Sequence, residues 1–563
     1  MKNFLIFLIL LNFFWIDPGH TRPFRPIRAE KGMVVSADSI ASRVGVNILQ
    51  QGGNAIDAAI ATAFTLAVTY PTAGNIGGGG FMIIRDSSKR VYALDYRETA
   101  PAKATKNMYL DSTGKVIKDA SIRGYLAAGV PGTVCGMWEA HKKFGTLKWA
   151  EILKPAIRLA ANGFALDEYK ARIFNAFKQE FQQFPATAQI FVNPDGPFTK
   201  GYLFKQTDLA RTLKRIARLG VKGFYSGPLA EKIAKDMQSH GGLISLKDLK
   251  SYRCKWRTPI QIDYRHYAIY TMPPPSSGGV VLAEILNTLE GFHLHRLGHN
   301  SSNMIRLWVE TERYAYADRA FWLGDADFVT MPLNVLLSKE YGRKLRCKLH
   351  YFNAGVSDSI HPSLPNFKEK DQTTHFSIVD QWGNAVSNTF TLNGSFGSMV
   401  VVPGTGVLLN NEMDDFSIKP GQPNSYGLLG GYANAIQPGK RMLSSMTPAV
   451  VTHHDSLFMV LGSPGGAKII TTVAQVISNI IDYRMNIRQA IEAPRFHFQW
   501  KPDSLVLEYN RFNSDTIHNL LNAGYAILYD KYMGYVQGIL IENRSSSITG
   551  WSDPRSNGRA IGY

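Results

Sequence analysis

Apolar and polar residues follow one repeating pattern in the first part of this chain and a different pattern in the last part. Up to about residue 320, apolar residues mostly recur every three or four positions, which predicts helices that bury one face. Residues 55–68 are apolar nearly all round, which predicts a core helix. Gly52-Gly53 ends the first of these helices, and Asn54 is placed to cap the second. The segments with this helical period are 36–51, 55–68, 149–162, 208–219, 229–239, 280–289 and 304–320.

Alternation of apolar and polar residues replaces the helical period after residue 373. Residues 375–380 and 385–392 alternate on either side of a short turn, which predicts a β-hairpin. Helices before and between runs of paired strands predict an α+β fold built in layers, rather than a parallel, doubly wound sheet. Further strands are predicted at 81–85, 91–97, 406–410 and 457–462, and one long helix at 469–482.

A run of four glycines, residues 77–80, joins the second helix to the first strand. The run lacks the Gly-Lys-Ser/Thr ending of a phosphate-binding loop, and a strand rather than a helix follows it. Glycine allows another backbone to approach closely and allows positive φ angles. The run therefore predicts a close backbone contact and not a nucleotide site.

The charge balance narrows the classes of partner. Lys and Arg number 62 against 44 Asp and Glu, which gives a net charge of +18. The positive residues are scattered, with mild enrichment at 211–218 and 339–348, so we do not predict nucleic-acid binding. A cationic surface of this kind favours small anionic substrates.

The length of the chain limits the number of domains. At 563 residues the chain is long enough for two to four domains or for one large layered unit.

The cysteines and histidines indicate neither a disulfide framework nor a metal site. Cys135, Cys254 and Cys347 are few and far apart in sequence, so each is expected to be an isolated buried thiol. Only His453 and His454 are adjacent among 14 histidines, and no His-Glu-x-x-His motif is present. We predict no metal and no cofactor.

The first residues have the features of an export signal. Lys2 precedes an apolar run from Phe4 to Ile16 that is too short to span a membrane. We expect residues 1–20 to be a signal peptide with an approximate boundary, and the mature protein to be periplasmic or secreted. A retained anchor is the alternative, because no clear cleavage site follows the run.

The most informative stretch is Asp371-Gln372-Thr373-Thr374, where a polar loop meets the predicted hairpin. Threonine at the start of a strand is ordinary, because threonine is a good strand former. If the Gln372–Thr373 bond were cut, however, Thr373 would carry both a hydroxyl nucleophile and a free α-amine. An α-amine has a pKa of about 7.7 to 8.0, so it can act as the base for its own hydroxyl.

Other stretches hold polar groups that packing alone does not explain. Arg97 ends a predicted strand, where it can bind a carboxylate through two nitrogens or pair with Asp95 or Glu98. Gly465 and Gly466 precede a long helix, so their N–H groups suit an oxyanion, although a tight turn needs the same glycines. The remaining stretches are Thr391 to Asn393, the acidic and amide run 410–416, which suits an ammonium group better than calcium, and Leu443-Ser444-Ser445-Met446.

Taken in order, these stretches resemble the γ-glutamyltranspeptidase family of N-terminal-nucleophile hydrolases, from about Lys31 to Tyr563. The resemblance implies a four-layer αββα sandwich that is made as one precursor and cuts itself between Gln372 and Thr373. The implied products are a large subunit, residues 21–372, and a small subunit, residues 373–563, in an obligate heterodimer. The matching stretches are 74–81, 96–101, 273–279, 373–380, 410–416, 443–446 and 462–466.

The resemblance also implies the reaction and the role of each residue. Thr373 would attack the γ-carbonyl of glutathione or another γ-glutamyl compound, and the acyl group would pass to water, an amino acid or a dipeptide. Thr391 would orient Thr373, and the N–H groups of Gly465 and Gly466 would hold the oxyanion. The donor's α-carboxylate would be bound by Arg97, Ser444 and Ser445, and its α-ammonium by Asn393, Glu412 and Asp415.

Two positions distinguish this chain within the family. Glu412 stands where some bacterial members have glutamine, and a carboxylate binds an ammonium group more strongly. Segment 420–431, which includes Tyr426, resembles a lid loop that only some members have; an ungated surface loop is the alternative. A related acylase, a poly-γ-glutamate capsule transpeptidase and an inactive glutamyl-binding relative are the other functions considered. The sequence leaves open the balance of hydrolysis and transpeptidation, the preferred acceptor and higher oligomerisation.

Overall fold

The computed structural model describes residues 25–360, 373–425, 427–542 and 547–563. The predicted signal segment 1–20, Gln372 and Tyr426 therefore lie outside the described residues. The strands are β1 (Ile27–Ala29), β2 (Met33–Ser36), β3 (Gly79–Arg85), β4 (Val91–Asp95), β5 (Phe164–Ala165), β6 (Leu203–Phe204), β7 (Lys255–Arg257), β8 (Ile260–Tyr264), β9 (Tyr267–Thr271), β10 (Thr374–Val379), β11 (Ala385–Thr391), β12 (Val401–Val402), β13 (Val407–Leu408), β14 (Ala449–His453), β15 (Ser456–Gly462), β16 (Phe496–His497), β17 (Leu505–Glu508), β18 (Ile527–Asp530), β19 (Gln537–Glu542), β20 (Ser547–Ser552) and β21 (Arg559–Gly562).

Helices occupy most of the remaining described chain, and within the described ranges every helix is too short or too polar to cross a bilayer. The helices are α1 (Ser39–Gln50), α2 (Ala55–Thr69), α3 (Thr133–Phe144), α4 (Trp149–Asn162), α5 (Glu168–Ala176), α6 (Lys178–Gln182), α7 (Pro185–Phe191), α8 (Thr207–Leu219), α9 (Lys222–Tyr225), α10 (Pro228–Ser239), α11 (Leu246–Ser251), α12 (Gly278–Leu289), α13 (Ser302–Trp322), α14 (Leu333–Leu336), α15 (Lys339–Arg346), α16 (Lys468–Ile481), α17 (Ile487–Glu492) and α18 (Ser514–Asn522).

Two seven-stranded antiparallel sheets form the centre of the described structure. Sheet 1 has the strand order β21-β2-β10-β11-β3-β4-β7, and sheet 2 has the order β1-β20-β19-β15-β14-β9-β8. Both sheets contain strands from before and after residue 373. In sheet 1, for example, β2 lies between β21 and β10, and β3 lies next to β11. Neither sheet can therefore form from one half of the chain alone.

Helices cover the outer face of each sheet. Helices α1 to α4 pack on sheet 1 through a core that includes Val34 and Phe390. Helices α12, α13 and α16 pack on sheet 2, and their core continues between the sheets, where Phe81 of sheet 1 and Val460 of sheet 2 are fully buried. The order is helix, sheet, sheet, helix, so the predicted four-layer αββα sandwich is confirmed.

The central hairpin of sheet 1 is the one that the alternating pattern predicts. Thr374 faces Phe390 across β10 and β11. The turn forms because the Asp380 carboxylate accepts a hydrogen bond from Trp382 N at 2.9 Å. The same carboxylate accepts the Ala55 N–H at 2.8 Å, at the N-terminus of α2. One aspartate therefore closes the hairpin and attaches it to the outer helical layer.

The polar residues of this alternation face sheet 2 and not solvent. Ser377 Oγ donates to Gln537 O at 2.9 Å, and Ser387 Oγ donates to Leu461 O at 2.9 Å. Buried hydroxyl groups cost free energy unless they are hydrogen-bonded, and these are bonded across the two sheets. The polar face of the hairpin thus fixes how the sheets are stacked.

His375 belongs to the same inter-sheet layer. Its Nδ1 lies 2.8 Å from Thr389 Oγ1, and burial lowers the pKa of His375 to about 3, so the ring is neutral. A Cβ added to Gly462, at the end of β15, would lie 2.4 Å from Cε1 of this ring. The absence of a side chain at Gly462 therefore lets the start of β10, next to Thr373, lie against the end of β15.

Most predicted elements are confirmed to within a few residues at their ends. Asn54 caps α2 as predicted. Its Oδ1 accepts hydrogen bonds from two N–H groups of the first turn, and Asp57 completes a capping box. Strands β2 and β14 were not predicted, because nearly all of their residues are buried and apolar on both faces. A strand of this kind shows no alternation.

The cysteines correct the expectation of three isolated buried thiols. Cys254 N donates a hydrogen bond to Cys135 Sγ at 3.2 Å, although the two residues are 119 apart in sequence. Cys347 is exposed. Cys135 and Cys254 become neighbours because of how α3 packs beside β7, and no local sequence pattern encodes this packing.

A buried carboxyl pair lies between α12 and α13. Glu284 is 1% exposed and faces Asp318, whose carboxylate accepts a hydrogen bond from Tyr341 Oη at 2.6 Å. Burial, together with the negative charge of Asp318, raises the pKa of Glu284 well above its ordinary value. The fold therefore favours the protonated, uncharged form of Glu284.

We expect Glu284→Gln to raise the free energy of unfolding at neutral pH by about 1 kcal/mol or more. Because the pKa of Glu284 is raised in the folded state, no stability is lost below the unfolded pKa of about 4.3. Above that pH the unfolded chain releases a proton that the folded chain retains, so stability falls as pH rises until the folded pKa is reached. Glutamine removes this loss, and urea unfolding at mildly acidic and mildly alkaline pH measures the difference.

Glu290, at the end of the same helix, provides the matched control. Burial raises its pKa, but the hydrogen bond from Lys339 and the one from Arg265 N outweigh burial, so the pKa of Glu290 is lowered. Glu290→Gln should therefore lose stability at neutral pH, the opposite sign. Equal changes in the two variants would contradict the assignment of a neutral Glu284.

Candidate active site

The hairpin brings Thr373 and Thr391 together. Thr373 is buried and lies immediately before β10. Continuing the β10–β11 register by one residue places Thr391 opposite Thr373. Thr391 Oγ1 also accepts a hydrogen bond from Asn393 N at 2.8 Å. The two threonines are therefore neighbours across the open end of the hairpin, as its short turn predicts.

Asn75, in the glycine-rich loop, holds the end of β11. Its Nδ2 donates to Thr391 O at 2.8 Å, and its Oδ1 accepts from Gly78 N at 2.9 Å and from Thr133 Oγ1 at 2.8 Å. A Cβ at Gly78 would lie 2.1 Å from Thr391 O. The glycine run therefore makes the close backbone contact that the sequence predicts, and that contact is with the strand carrying Thr391.

Gly465 and Gly466 form the turn between β15 and α16. Their φ angles are +134° and +52°, in the region that favours glycine. Within the described part of the chain neither N–H donates a hydrogen bond, so both can bind an anion. The contact between Gly462 and His375 places this turn on the side of the molecule where β10 begins.

Arg97 follows β4, and its side chain is fully buried. The guanidinium pairs with Glu412 through Nη1 and with Asp415 through Nη2, and its Nε donates to Met442 O at 3.3 Å. Glu98 Oε2 lies 3.7 Å from Nη1. We refer to Arg97, Glu98, Glu412 and Asp415 as the Arg97 cluster. In this structure the cation and the anions of the predicted donor site contact each other directly.

Carboxylates outnumber the arginine in this cluster. Burial, opposed by the charge of Arg97, raises the pKa of Glu98 to about 8 and also raises the pKa values of Glu412 and Asp415. Glu412 Oε1 and both carboxylate oxygens of Glu98 have no hydrogen-bond partner among the described residues. Buried acceptors without partners, beside a buried guanidinium, suit a ligand that carries both an ammonium and a carboxylate.

Of the two alternative partners predicted for the Arg97 side chain, Glu98 lies within ion-pair distance and Asp95 does not. Asp95 accepts only the backbone N–H of Arg97, at 2.9 Å. The Asp95 carboxylate instead pairs with Arg257 at 2.7 Å and with Arg441 at 3.3 Å. The side chain of Arg97 is thus directed to the run 410–416 and to Glu98, and not to Asp95.

Ser444 and Ser445 lie beside a buried arginine of α13. Arg319 Nη2 donates to Ser445 Oγ at 3.3 Å, and its Nε donates to Ser277 Oγ at 3.0 Å. Ser444 Oγ accepts from Met446 N at 3.1 Å. Burial lowers the pKa of Arg319 to about 10, so the guanidinium remains charged at neutral pH. The hydroxyl groups of Ser444 and Ser445 therefore lie beside a second buried cation, the guanidinium of Arg319.

Asn393 connects the hairpin to the Arg97 cluster. It adopts a positive φ of +75°, and its Nδ2 donates to Asn411 O at 3.0 Å. Glu412 follows directly, with its backbone N–H bonded to Asn410 Oδ1 at 3.0 Å. A path of hydrogen bonds therefore runs from Thr391 through Asn393 to the residue before Glu412.

Segment 420–431 is attached to the acidic run. Asn424 Nδ2 donates to Asp415 Oδ1 at 3.3 Å, and Ser425 N donates to Asp414 Oδ2 at 3.0 Å. The bond to Asp415 is a contact with the Arg97 cluster itself. The segment thus lies where a lid over this cluster would lie.

Three residues of this region were not predicted as functional. Asn75 was one residue of a glycine loop, and Glu98 was considered only as an ion-pair partner of Arg97. Arg319 lies in a predicted helix, 126 residues before Ser445, so only the tertiary fold reveals the contact. One property of the sequence could have indicated Arg319. The helix α13 carries several charged residues that are buried, and buried charged residues usually have a structural or functional partner.

Among the described residues, no group of three or more His, Cys, Asp and Glu side chains is arranged to hold a metal ion.

The chain matches the γ-glutamyltranspeptidase family over residues 41–563. It is 47% identical over 554 residues to the glutathione hydrolase proenzyme of Pseudomonas sp. (strain A14), which covers 97% of this chain and 96% of that protein. It is 46% identical over 534 residues to the glutathione hydrolase proenzyme of Escherichia coli (strain K12), which covers 95% and 92%. The fold is similar to that of the cephalosporin acylase from Bacillus halodurans, with a TM-score of 0.85, 27% identity, and coverage of 97% of this chain and 99% of that one.

Proposed function

Because the chain belongs to the γ-glutamyltranspeptidase family, we propose that it is a glutathione hydrolase and γ-glutamyltransferase with Thr373 as its nucleophile. The observation that carries this proposal is the buried Arg97 cluster and its path of hydrogen bonds to Thr391. A buried cation beside a surplus of carboxylates matches the amino-acid head of a γ-glutamyl group.

Maturation begins with the precursor's own threonine. Thr373 Oγ1 attacks the carbonyl carbon of Gln372, the C–N bond breaks, and the acyl group moves from nitrogen to oxygen as an ester. Water hydrolyses the ester, which leaves a carboxylate on Gln372 and a free α-amine on Thr373. The products are the large subunit, residues 21–372, and the small subunit, residues 373–563, which remain together as a heterodimer.

The mature enzyme uses the same hydroxyl for acyl transfer. The α-amine of Thr373 takes the hydroxyl proton as Oγ1 attacks the γ-carbonyl carbon of the donor. The N–H groups of Gly465 and Gly466 stabilise the oxyanion, and each such donor contributes about 2.7 to 4 kcal/mol. The amine product leaves with a proton, and water, an amino acid or a dipeptide then takes the acyl group. Thr391 orients the Thr373 hydroxyl.

The donor's amino-acid head exchanges partners with the Arg97 cluster. Its α-carboxylate takes the place of cluster carboxylates at Arg97, and its α-ammonium stabilises the ionised form of the carboxyl groups whose pKa values burial raises, so no charge is left buried without a partner. Arg319, beside Ser445, adds positive charge on the carboxylate side. The α-carboxylate is bound by Arg97, Ser444 and Ser445, and the α-ammonium by Asn393, Glu412 and Asp415.

Segment 420–431, with Tyr426, closes over the bound donor as a lid. The hydrogen bond from Asn424 to Asp415 supports this assignment, because it attaches the segment to the donor site. A closed lid suits a small donor such as glutathione better than a long polymer. Residues 1–20 direct export to the periplasm or beyond the cell, and no metal, cofactor or nucleic acid takes part in the proposed reaction.

A related acylase is the second candidate, because the fold is so similar to that of a cephalosporin acylase. A glutaryl acyl group has a terminal carboxylate but no ammonium. It would leave Glu412 and Asp415 without a positive partner once Arg97 bound the ligand. The charge of the Arg97 cluster therefore favours γ-glutamyl over glutaryl donors, and the lid disfavours a poly-γ-glutamate capsule substrate.

Relative rates on three donors test this proposal. We expect γ-glutamyl-p-nitroanilide to be cleaved about 100-fold or more faster than glutaryl-p-nitroanilide at equal concentration, because the site holds buried groups for the ammonium. Poly-γ-glutamate should be a poor donor, and an acceptor dipeptide should increase release of p-nitroaniline. Faster turnover of either rival donor would overturn the assignment, and tight glutamate binding without any turnover would indicate a binding protein.

A further inference from the structure

Cys135 and Cys254 form a thiol pair that no step of the proposed reaction uses. Cys135 lies in the first turn of α3, and Cys254 directly precedes β7. Cys254 N donates a hydrogen bond to Cys135 Sγ at 3.2 Å. This contact brings the Cys135 sulfur to the backbone of Cys254, so the two residues are close neighbours in space, as a disulfide requires.

The two thiols also interact with one another. The interaction between the two thiols lowers the pKa of Cys135 and raises that of Cys254. The pair thus favours one thiolate on Cys135 with the remaining proton on Cys254. Cys135 is buried and Cys254 is half-buried. Cys347 is exposed and provides an internal reference.

The pair joins two elements that hold the main chain of Arg97. Tyr252, two residues before Cys254, donates through its Oη to Arg97 O at 2.8 Å. Gly136, next to Cys135, lies so close to Tyr96 that an added Cβ would be 2.4 Å from the ring. A covalent bond between the two sulfurs would therefore fix both sides of the Tyr96–Arg97 segment.

We propose that Cys135 and Cys254 form a disulfide that fastens α3 to the segment before β7. The oxidant is a low-molecular-weight disulfide such as oxidised glutathione. The Cys135 thiolate attacks one sulfur of that disulfide and releases one glutathione. Cys254 sulfur then attacks Cys135 sulfur, the second glutathione leaves, and the two protons lost by the protein end on the two glutathione molecules. The proposal concerns stability and the position of Arg97, and it stands independently of the identity of the donor.

Counting thiols tests the proposal without using activity. The full-length protein, prepared without reductant, is treated with oxidised glutathione, denatured and alkylated with a polyethylene-glycol maleimide. The reduced chain has three cysteines and should take three labels, whereas the oxidised chain should take only one, on Cys347. A crosslinked peptide containing Cys135 and Cys254 identifies the bond. Three labels after oxidation, a glutathione retained on Cys135 or Cys254, or a crosslink to Cys347 would each overturn the proposal.

Thermal inactivation gives the second measurement. Oxidation should lengthen the half-life of the wild type and of Cys347→Ser by about tenfold, because the bond closes a long loop of the unfolded chain. Cys254→Ser should show no such gain. If Cys254→Ser does not fold, the comparison of oxidised and reduced Cys347→Ser still decides, since it retains only the proposed pair. Equal half-lives of those two forms would refute the fastening role.

Discussion

Thr373→Ala is expected to remain a single uncut chain and to lose γ-glutamyl transfer by about 10⁴-fold or more. Alanine has no hydroxyl to attack the Gln372 carbonyl, so the chain is not cut and no α-amine is released. The loss therefore affects both maturation and catalysis through one atom. Mass spectrometry and N-terminal sequencing of the purified protein measure the cut, and release of p-nitroaniline from γ-glutamyl-p-nitroanilide measures the transfer.

Two neighbouring substitutions serve as controls. Thr373→Ser keeps a hydroxyl and should still cut itself, at a lower rate. Thr374→Ala removes a hydroxyl that is fully buried and has no hydrogen-bond partner among the described residues, so the cut should remain before residue 373. A fragment beginning with alanine at position 373 of Thr373→Ala, or an uncut but fully active wild type, would show that the nucleophile is another residue.

Arg97→Lys is expected to lower kcat/KM for γ-glutamyl donors by about 100-fold or more, mainly through KM. Lysine keeps the positive charge beside Glu412 and Asp415 but loses the planar fork that binds a carboxylate through two nitrogens. Two hydrogen bonds to charged groups, at about 1.5 kcal/mol each or more, account for this factor. Steady-state kinetics over a range of donor concentrations separate KM from kcat.

Arg257→Lys is the matched control for Arg97→Lys. Arg257 also pairs with two carboxylates, Asp95 at 2.7 Å and Asp327 at 2.7 Å, but it contacts none of the groups proposed to bind the donor. Its replacement should lower stability and leave KM within about twofold of the wild type. A similar rise of KM in both variants would indicate that Arg97 acts through general stability and not through the donor's carboxylate.

The parts of the site that follow from local pattern were predictable. The alternation on both sides of a short turn was sufficient to pair β10 with β11, and the pairing alone places Thr391 opposite Thr373. Asn54 and the glycines after α1 marked the ends of two helices in the same way. In each case the groups that form the contact lie within a few residues of each other, so sequence spacing fixes the geometry.

The parts that depend on packing between distant segments were not predictable. Arg97, Glu412 and Asp415 were assigned to opposite ends of a ligand, but nothing in their spacing indicates that they contact each other when no ligand separates them. The contact of Arg319 with Ser445 and the neighbouring thiols of Cys135 and Cys254 join residues more than a hundred positions apart. Such contacts are set by how the layers stack, which apolar and polar periods do not specify.

The order of strands in sheet 1 has a consequence for the proposed cut before Thr373. Strand β2, which would belong to the longer piece, is hydrogen-bonded on one edge to β21 and on the other to β10, both of which would belong to the shorter piece. The final carbonyl, that of Tyr563, accepts the Lys31 N–H at 2.9 Å. After the proposed cut, neither piece could separate without breaking the hydrogen bonds of strands inside sheet 1. Dilution should therefore leave them joined, and their shared lifetime is set by the rate of global unfolding rather than by an affinity.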